Sequence, residues 1–535
     1  MIKLSPLPQT SSIAASYRSD RGEKPHLRLG WALPGFLLLG LAATVVILVL
    51  SSTFSGLAAW KVALLIPIVP AALLVGCFAA PQGLQNLRSL VRKLVWWHWL
   101  WMLILLSTWV FRIRDSQLAA SEPIDAWAIF RLVPEAIVAF WLLSRLLHRR
   151  TSWLGSLFQG LVGTLGVYAL VCVTSALWSV KPSWTLYKSC EYLLDVSVLA
   201  AALSVIGSLE TYESLFNWVW TLCAFELLLT WMGTILWPSE AWEQYPTRLI
   251  GVFPVQSSNA IGVSGAILAV IAFSRLLPVA GCRFQRSWNA LVLLFGIASM
   301  LASKTRNAMA GFVIGALLVL VASHRAKIAA LLTVVPAACL YLASRLLHVR
   351  GVPVFTSMVV DYLAREQKPG QLESLTGRMQ WWEFAWQQFT KHPWTGLGAY
   401  AGGKFAVLSK LGFGDTAHLH SDYLEALVGT SIWGLIPLLM AIFGTWWFLF
   451  RFLRSSRLKP FERQLLVEAV GVLGILTVRS FFNAEFVWHA PQYFLVILGY
   501  AELLRRRAKW GQSRLPASYV KSRARIPATA SGSGL

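Results

Sequence analysis

Charge is what this chain has least of. Only 13% of its 535 residues are Asp, Glu, Lys or Arg, about half the share of a soluble domain. With 56% hydrophobic residues, the chain cannot coat a core of ordinary size with polar side chains, and a soluble globular protein is excluded. Acidic residues are scarcer than basic ones, 24 against 47. Cysteine is also rare. Cys77, Cys172, Cys190, Cys223, Cys282 and Cys339 lie in or beside apolar segments, and none shows CxxC spacing. That argues against a disulfide framework or a zinc site and reads them as small buried hydrophobes. No internal repeat is present, and no cleavable signal peptide is evident. The first 28 residues are polar and basic, and the first apolar run, from Gly30, is already long enough to span.

What is there is length of apolar sequence. Runs of about 20 apolar residues can cross the hydrocarbon layer. They predict helices over 30–51, 57–80, 94–111, 127–144, 154–178, 186–206, 216–237, 259–278, 288–302, 307–323, 328–347, 421–450, 464–482 and 489–504. The expected fold is an all-α polytopic membrane protein of about 12–14 transmembrane helices. A basic N-terminal tail (1–29) precedes a transmembrane domain (30–504), and a basic, Ser/Gly/Ala-rich tail of disordered composition (505–535) follows it.

Basic residues orient the chain. With the N-terminus inside, the inner segments hold 29 Lys and Arg, and the short outer loops hold six. A further seven belong to the long outer loop 348–420, and long loops contribute little to the positive-inside rule. Both termini are therefore expected in the cytoplasm. The net charge of +23 is read as a topology signal and as attraction to anionic lipid, not as nucleic-acid binding. The Trp-rich runs "LVWWHWLWM" and "WVW" suit the headgroup layer. In the long loop, 377–390 sets Met379, Trp382, Phe384, Trp386 and Phe389 among polar residues, which predicts an amphipathic helix on the membrane surface. Pro393 and a run of glycines follow it.

Polar chemistry collects at one expected depth, the outer face. Arg248 lies before the eighth helix, Arg306 between the ninth and tenth, Arg378 in the long loop, and His418 with His420 at the mouth of the twelfth. Guanidinium forks match phosphate oxygens bidentately and stay charged, and a histidine beside them can exchange a proton near neutral pH. The set suggests chemistry on a lipid phosphate or pyrophosphate. No Asp/Glu-rich cluster on that face suggests a divalent-metal site, so a metal-independent reaction without cofactor is expected, with Arg offsetting the charge on a leaving pyrophosphate. The plainer readings are a snorkelling anchor for each Arg and a solvated pair for the histidines, since HxH alone is a weak metal signal. Lys61, Arg131, Glu226 and Arg345 read as snorkelling or paired. Arg479 sits about a turn below the outer surface, where an unpaired charge is costly, and joins the candidates.

The run "TGRMQWWEFAWQQFTKHPWTGLGAYAGG…AHLHSDYLEALVGTSIWGLIPLLM" resembles the signature region of the O-antigen ligase and polymerase superfamily, which includes exopolysaccharide polymerases. The likeness rests on a Gly-Arg, a Trp-bearing helix, P-x-x-G-x-G, then His420-Ser421 followed by a helix containing Gly429 and Gly434. "RLIGVFPVQSSNAIG" resembles the family's Arg…Gly…Asn element, giving Arg248, Gly251 and Asn259, and "SKTRNAMAG" its Arg element, giving Arg306. The resemblance covers roughly residues 240 to 450. It implies a GT-C-type, metal-independent, inverting glycosyltransferase of the bacterial inner membrane. The enzyme would work at the periplasmic face on a glycan carried by undecaprenyl pyrophosphate. The acceptor would be a sugar hydroxyl, on another carrier-linked glycan for a polymerase or on lipid A-core for a ligase, with a chain-length regulator as a further partner. Arg248 and Arg306 would grip the pyrophosphate, and His420 would act as general base or fix a substrate. Two departures stand out: fourteen expected spans where family members often have about twelve, and Ser421 where Asn is common after the histidine.

Polymerase is the preferred form. A transporter or flippase of lipid-linked sugar would place charge at the bilayer midplane and break helices at repeated positions, and a scaffold without chemistry would tolerate loss of His420.

Overall fold

The computed structural model describes residues 80–108, 126–148, 153–244, 247–277, 286–325, 378–455, 458–488 and 492–513, with a few isolated positions besides. The expected spans 30–51, 57–80 and 328–347, both tails and the loop up to residue 377 lie outside the described residues, single end positions and residues 505–513 excepted.

Every other expected span is helical. In chain order the helices are α1 (Ala80–Val91), α2 (Trp96–Thr108), α3 (Ala126–Leu147), α4 (Trp153–Leu157), α5 (Gly160–Thr174), α6 (Pro182–Val205) and α7 (Leu209–Leu236). A short hairpin follows, β1 (Trp242–Gln244) antiparallel to β2 (Thr247–Leu249). Then come α8 (Ser258–Leu276), α9 (Arg286–Ala302), α10 (Arg306–Ala322), α11 (Arg378–Lys391), α12 (Asp422–Leu453), α13 (Pro460–Ser480) and α14 (Gln492–Ser513). The amphipathic pattern at 377–390 is helix α11. Among the described residues, the stretches Gly160–Trp178, Leu209–Leu236, Ser258–Leu276 and Asp422–Leu453 are long and apolar enough to cross a membrane. Helix α13 carries more charge, with Glu462, Arg463, Glu468 and Arg479, and α9 and α10 are apolar but shorter.

The structure departs from the expected spans in three places. Helix α1 occupies a segment read as an inner loop and meets α2 at 114°. The fifth span is broken into α4 and α5, with Gly160 at φ +62; there the Leu161 N–H donates to Glu502 at 3.0 Å. The twelfth is kinked at Ser431, whose φ is +58.

That last break has a visible cause. The Leu397 and Gly398 N–H groups donate to the Val428 and Gly429 carbonyls, each at 2.9 Å, which an unbroken helix would keep for residues 432 and 433. The PWTGLG turn thus inserts into α12, and the Ser431 hydroxyl donates to the Pro393 carbonyl. Gly398 sits at φ +94, a conformation that a Cβ would strain.

Where small residues face each other the helices close tightly. A Cβ on Gly265 would lie 2.7 Å from the Gly296 carbonyl, so α8 and α9 approach backbone to backbone, as helices do in lipid. One large core joins α5, α6, α7, α8, α13 and α14 through residues such as Leu199, Phe216, Val470 and Tyr500. Phe140, Ile235, Phe443 and Trp447 point outward, as lipid-facing side chains do. A second, smaller core of Trp381, Ala385, Leu397, Val407, Leu419 and Val428 ties α11 and the glycine turn to the start of α12. The candidate site lies against it. Of the cysteines described, Cys172 and Cys223 are buried as expected, but Cys190 is exposed.

Candidate functional site

The two histidines sit on the last turn before α12. Trp382 of α11 donates its indole N–H to the Leu419 carbonyl at 3.0 Å, and the Leu419 N–H donates to Glu425 at 2.9 Å. Held from both sides, His420 takes φ +54. Its backbone N–H donates to His418 Nδ1 at 3.1 Å, which places the His418 proton on Nε2 when that ring is neutral. Trp381 stacks on the His420 ring at 6.0 Å. Burial, then the Arg378 charge, pushes His418 down to about 3. Burial, followed by His418 and Arg378, holds His420 well below the usual histidine range. Both rings are therefore unprotonated at neutral pH.

Behind His420 runs a polar relay. His420 Nδ1 lies 3.2 Å from Asn483 Oδ1. Asn483 Nδ2 donates to Glu485 at 2.6 Å, and Glu485 pairs with Arg479 at 2.7 Å. A carboxylate only accepts, so Glu485 fixes which way the Asn483 amide faces. The amide oxygen then accepts from His420 Nδ1–H, leaving Nε2 with a free lone pair. Arg479 is completely buried. It also donates to the Asn307 side chain at 2.9 Å and to the Asn259 carbonyl at 3.3 Å, so one guanidinium joins the ends of α8, α10 and α13.

Asp422, the first residue of α12, accepts from the Glu485, Phe486 and Val487 N–H groups at 2.8 to 3.1 Å. The loop that carries Glu485 is thereby clamped to the helix that follows His420. Tyr423 and Ser480 add a bond of 2.8 Å between α12 and α13. Arg378, at the start of α11, donates to the Phe482 carbonyl at 2.6 Å. Burial, then the charges of Arg306 and Arg479, lowers its guanidinium to about 10. Arg306 and Arg479 thus both stand close enough to Arg378 for their charges to act on it, beside two neutral imidazoles.

The structure brings together Arg306, Arg378, Arg479, His418 and His420 of the expected set. Asn259 joins through its carbonyl. Arg248 is placed differently. It lies in the β1–β2 hairpin facing Glu243, with Nη2 at 3.0 Å from the carboxylate, and no described contact joins it to the cluster. Hairpin pairing puts the two side chains on the same face, which the sequence-based placement in a loop before the eighth helix did not anticipate. Of the residues read as snorkelling or paired, Arg131 pairs with Glu191 and Glu226 accepts from Gln256; Lys61 and Arg345 lie outside the described residues.

Sequence reasoning missed Asn483, Glu485 and Asn307. The signal was available for Glu485: a buried Arg479 demands a carboxylate partner, and Glu485 is six residues on in the same short stretch.

Residues 291–439 match the family model described as O-antigen ligase. The matched segment runs from within α9 into α12 and contains Arg306, Arg378, His418 and His420. The match supports the resemblance to the O-antigen ligase and polymerase superfamily and, with the apolar helices, a multi-pass membrane enzyme of that ligase/polymerase type. The chain matches none of the curated proteins.

Proposed function

We propose that the protein is a GT-C-type, metal-independent glycosyltransferase of the bacterial inner membrane. It moves a glycan from an undecaprenyl-pyrophosphate carrier to a sugar hydroxyl at the periplasmic face, with both termini in the cytoplasm. The observation that carries this reading is His420, neutral and with Nε2 free, next to Arg378, whose basicity is lowered by burial and then by the charges of Arg306 and Arg479. An anion of two phosphates would relieve that repulsion, and guanidinium forks suit it.

In the proposed step the acceptor oxygen bonds to the anomeric carbon from the face opposite the leaving group. The bond from that carbon to the diphosphate oxygen breaks, and its electron pair leaves with undecaprenyl diphosphate. The acceptor proton passes to His420 Nε2. Arg306 and Arg378 hold the diphosphate and offset its growing charge. Arg479 sets the relay and adds to the field. Arg248, engaged by Glu243, is given an outlying role in binding the glycan. Asp422 is held by three backbone N–H groups, Glu485 by Arg479 and Asn483, and Glu425 by the Leu419 N–H through one of its oxygens; in this scheme guanidinium supplies the positive charge.

The test is transfer by the reconstituted full chain from lipid-linked oligosaccharide to two acceptors. A ladder of repeat lengths identifies a polymerase, the preferred form, and one addition to lipid A-core a ligase. His420→Ala and Arg306→Ala should each lower transfer by about 10²–10⁴-fold, the range for loss of a positioned acid/base or charge-stabilising group, without loss of folded, inserted protein. Undiminished transfer in both variants would remove the reading.

A further inference from the structure

Helix α1 turns aside where α2 begins, at 114° to it. Part of its surface is held by the bundle. Gly83 lies under the Trp288 ring of α9, so close that a Cβ there would clash. Leu90 packs against the Leu105, Trp218 and Leu222 cluster of α2 and α7. A second stripe is uncovered among the described residues. Leu84, Leu87 and Val91 are 51%, 42% and 50% exposed, and their i, i+3, i+7 spacing sets them on one side of the helix. Arg88 follows Leu84 by four residues and is exposed, as is Arg92. Arg92 continues the turn, its N–H donating to the Arg88 carbonyl at 3.2 Å. Residues four apart are neighbours on a helix, so a basic edge borders the apolar stripe.

The bend marks the depth of this helix. Trp96, the first residue of α2, lies 4.3 Å from Trp141, and the Arg145 guanidinium sits over the two rings at 5.5 and 4.7 Å. Tryptophan collects where acyl chains meet headgroups. A helix that leaves an apolar helix sideways at that level runs along the membrane surface, apolar side down.

Charge decides what it meets there. Residues 80–108 contain no Asp or Glu. The Lys93 charge acts on Glu213 of α7, but Arg88 and Arg92 have no ion pair among the described residues. Neither end of the chain is a fitting partner. Residues 1–79 hold only two acids, Asp20 and Glu23, residues 514–535 hold none, and both ends are basic.

We infer that α1 is a docking surface for anionic phospholipid. Leu84, Leu87 and Val91 enter the acyl boundary, and Arg88 and Arg92 hold lipid phosphates, which guanidinium forks match. The inference does not depend on the transferase reading.

Hydrogen exchange on the full chain tests it, in nanodiscs of phosphatidylcholine alone and of equal parts phosphatidylcholine and phosphatidylglycerol. Amides 84–91 should be better protected in the anionic discs by about fivefold for each arginine, about 25-fold for the pair. Added salt should shrink the difference, because exposed charges are screened. Arg88→Gln with Arg92→Gln should abolish it, and Arg88→Lys with Arg92→Lys should keep most of it. Amides in the middle of α8 should exchange as in the wild type in both double variants, which separates lost docking from general loosening. Leu87→Ser should lower α1 protection in both kinds of disc. Equal protection of α1 in the two compositions would overturn the inference and give the face to another segment of the chain or to neutral lipid. A difference that survives the paired Arg→Gln change would overturn it too, as would unchanged protection in Leu87→Ser.

Discussion

His420 Nδ1 and Asn483 Oδ1 lie 3.2 Å apart, and the same Asn483 gives its Nδ2 to Glu485 at 2.6 Å. The ring is thus oriented from behind by an amide that a carboxylate has locked. The arrangement keeps the base nitrogen on the side away from the protein relay, and each member of the relay can be removed separately.

Asn483→Leu takes away the acceptor for Nδ1–H and lets the imidazole proton shift to Nε2. We expect kcat to fall by about 10- to 100-fold, the scale on which loss of the outer hydrogen-bond partner of a metal-bound histidine acts, with a small change in donor KM. Steady-state transfer kinetics on the purified variant decide it, and an unaltered kcat would show that the amide does not set the tautomer.

Arg479→Leu leaves Glu485 buried without its partner and frees the Asn259 carbonyl and Asn307 side chain. Breaking a buried pair costs about 3–5 kcal/mol. A large drop in melting temperature and poor recovery of inserted protein should follow. Arg479→Leu paired with Glu485→Leu should recover part of the loss, because no lone charge remains buried. If the double variant is no more stable than the single one, the ion pair is not what holds α8, α10 and α13 together here.

The pH profile follows from the direction of the His420 shift. A histidine held below its ordinary value near 6.5 keeps its base form as pH falls through that value, and loses it only in more acidic solution. The acid limb of kcat/KM, which reports the free enzyme, should therefore lie below pH 6.5. Arg378 is one of the charges that depress His420, so Arg378→Ala should move the limb upward. A limb at or above 6.5 in the wild type would contradict the burial of this ring.

Asp422→Asn puts an amide nitrogen in place of one of the two carboxyl oxygens that accept three backbone N–H groups. A buried donor left without its acceptor costs about 1–3 kcal/mol. Amides 485 to 487 should lose hydrogen-exchange protection by one to two orders of magnitude, roughly that energy, while amides in the middle of α13 stay protected. Uniform loss across α13 would mean global unfolding and not release of this loop.

Gly398→Ala tests the turn that breaks α12. An added Cβ would meet Ser179 Oγ at 2.0 Å, at a residue whose φ is +94. We expect a loss on the order of 1–3 kcal/mol from backbone strain, and more from the clash, read as a lower melting temperature. Ser179→Gly in the same chain should restore only the part due to the side-chain clash, since the Ser179 Cα still lies 2.8 Å from the new Cβ and the hydroxyl's bonds with Thr185 and the Lys181 N–H are lost.

The candidate site was half legible in the sequence. Arg306, Arg378, His418 and His420 were found because each marks a polar interruption beside an apolar run or an amphipathic helix, and such boundaries are local. Arg248 was grouped with them on expected depth and on the resemblance of its segment to the family's Arg…Gly…Asn element. Its pairing with Glu243 depends on a hairpin register that a three-residue strand barely signals. Asn483 went unnoticed because a neutral amide carries no charge or periodicity to draw attention, and its importance lies wholly in what faces it.

By itself, the sequence determined that the chain is a bundle of apolar helices with an amphipathic helix near residue 380. Runs of apolar residues and their spacing act over one or two helical turns, so they survive without knowledge of the neighbours. The convergence of residues 306, 378, 420, 479 and 485 was decided only by tertiary structure. Bond directions there are set by which helix ends meet, by the turn inserted at Ser431, and by the need of each buried charge for a partner, and those demands link residues as far as 220 positions apart.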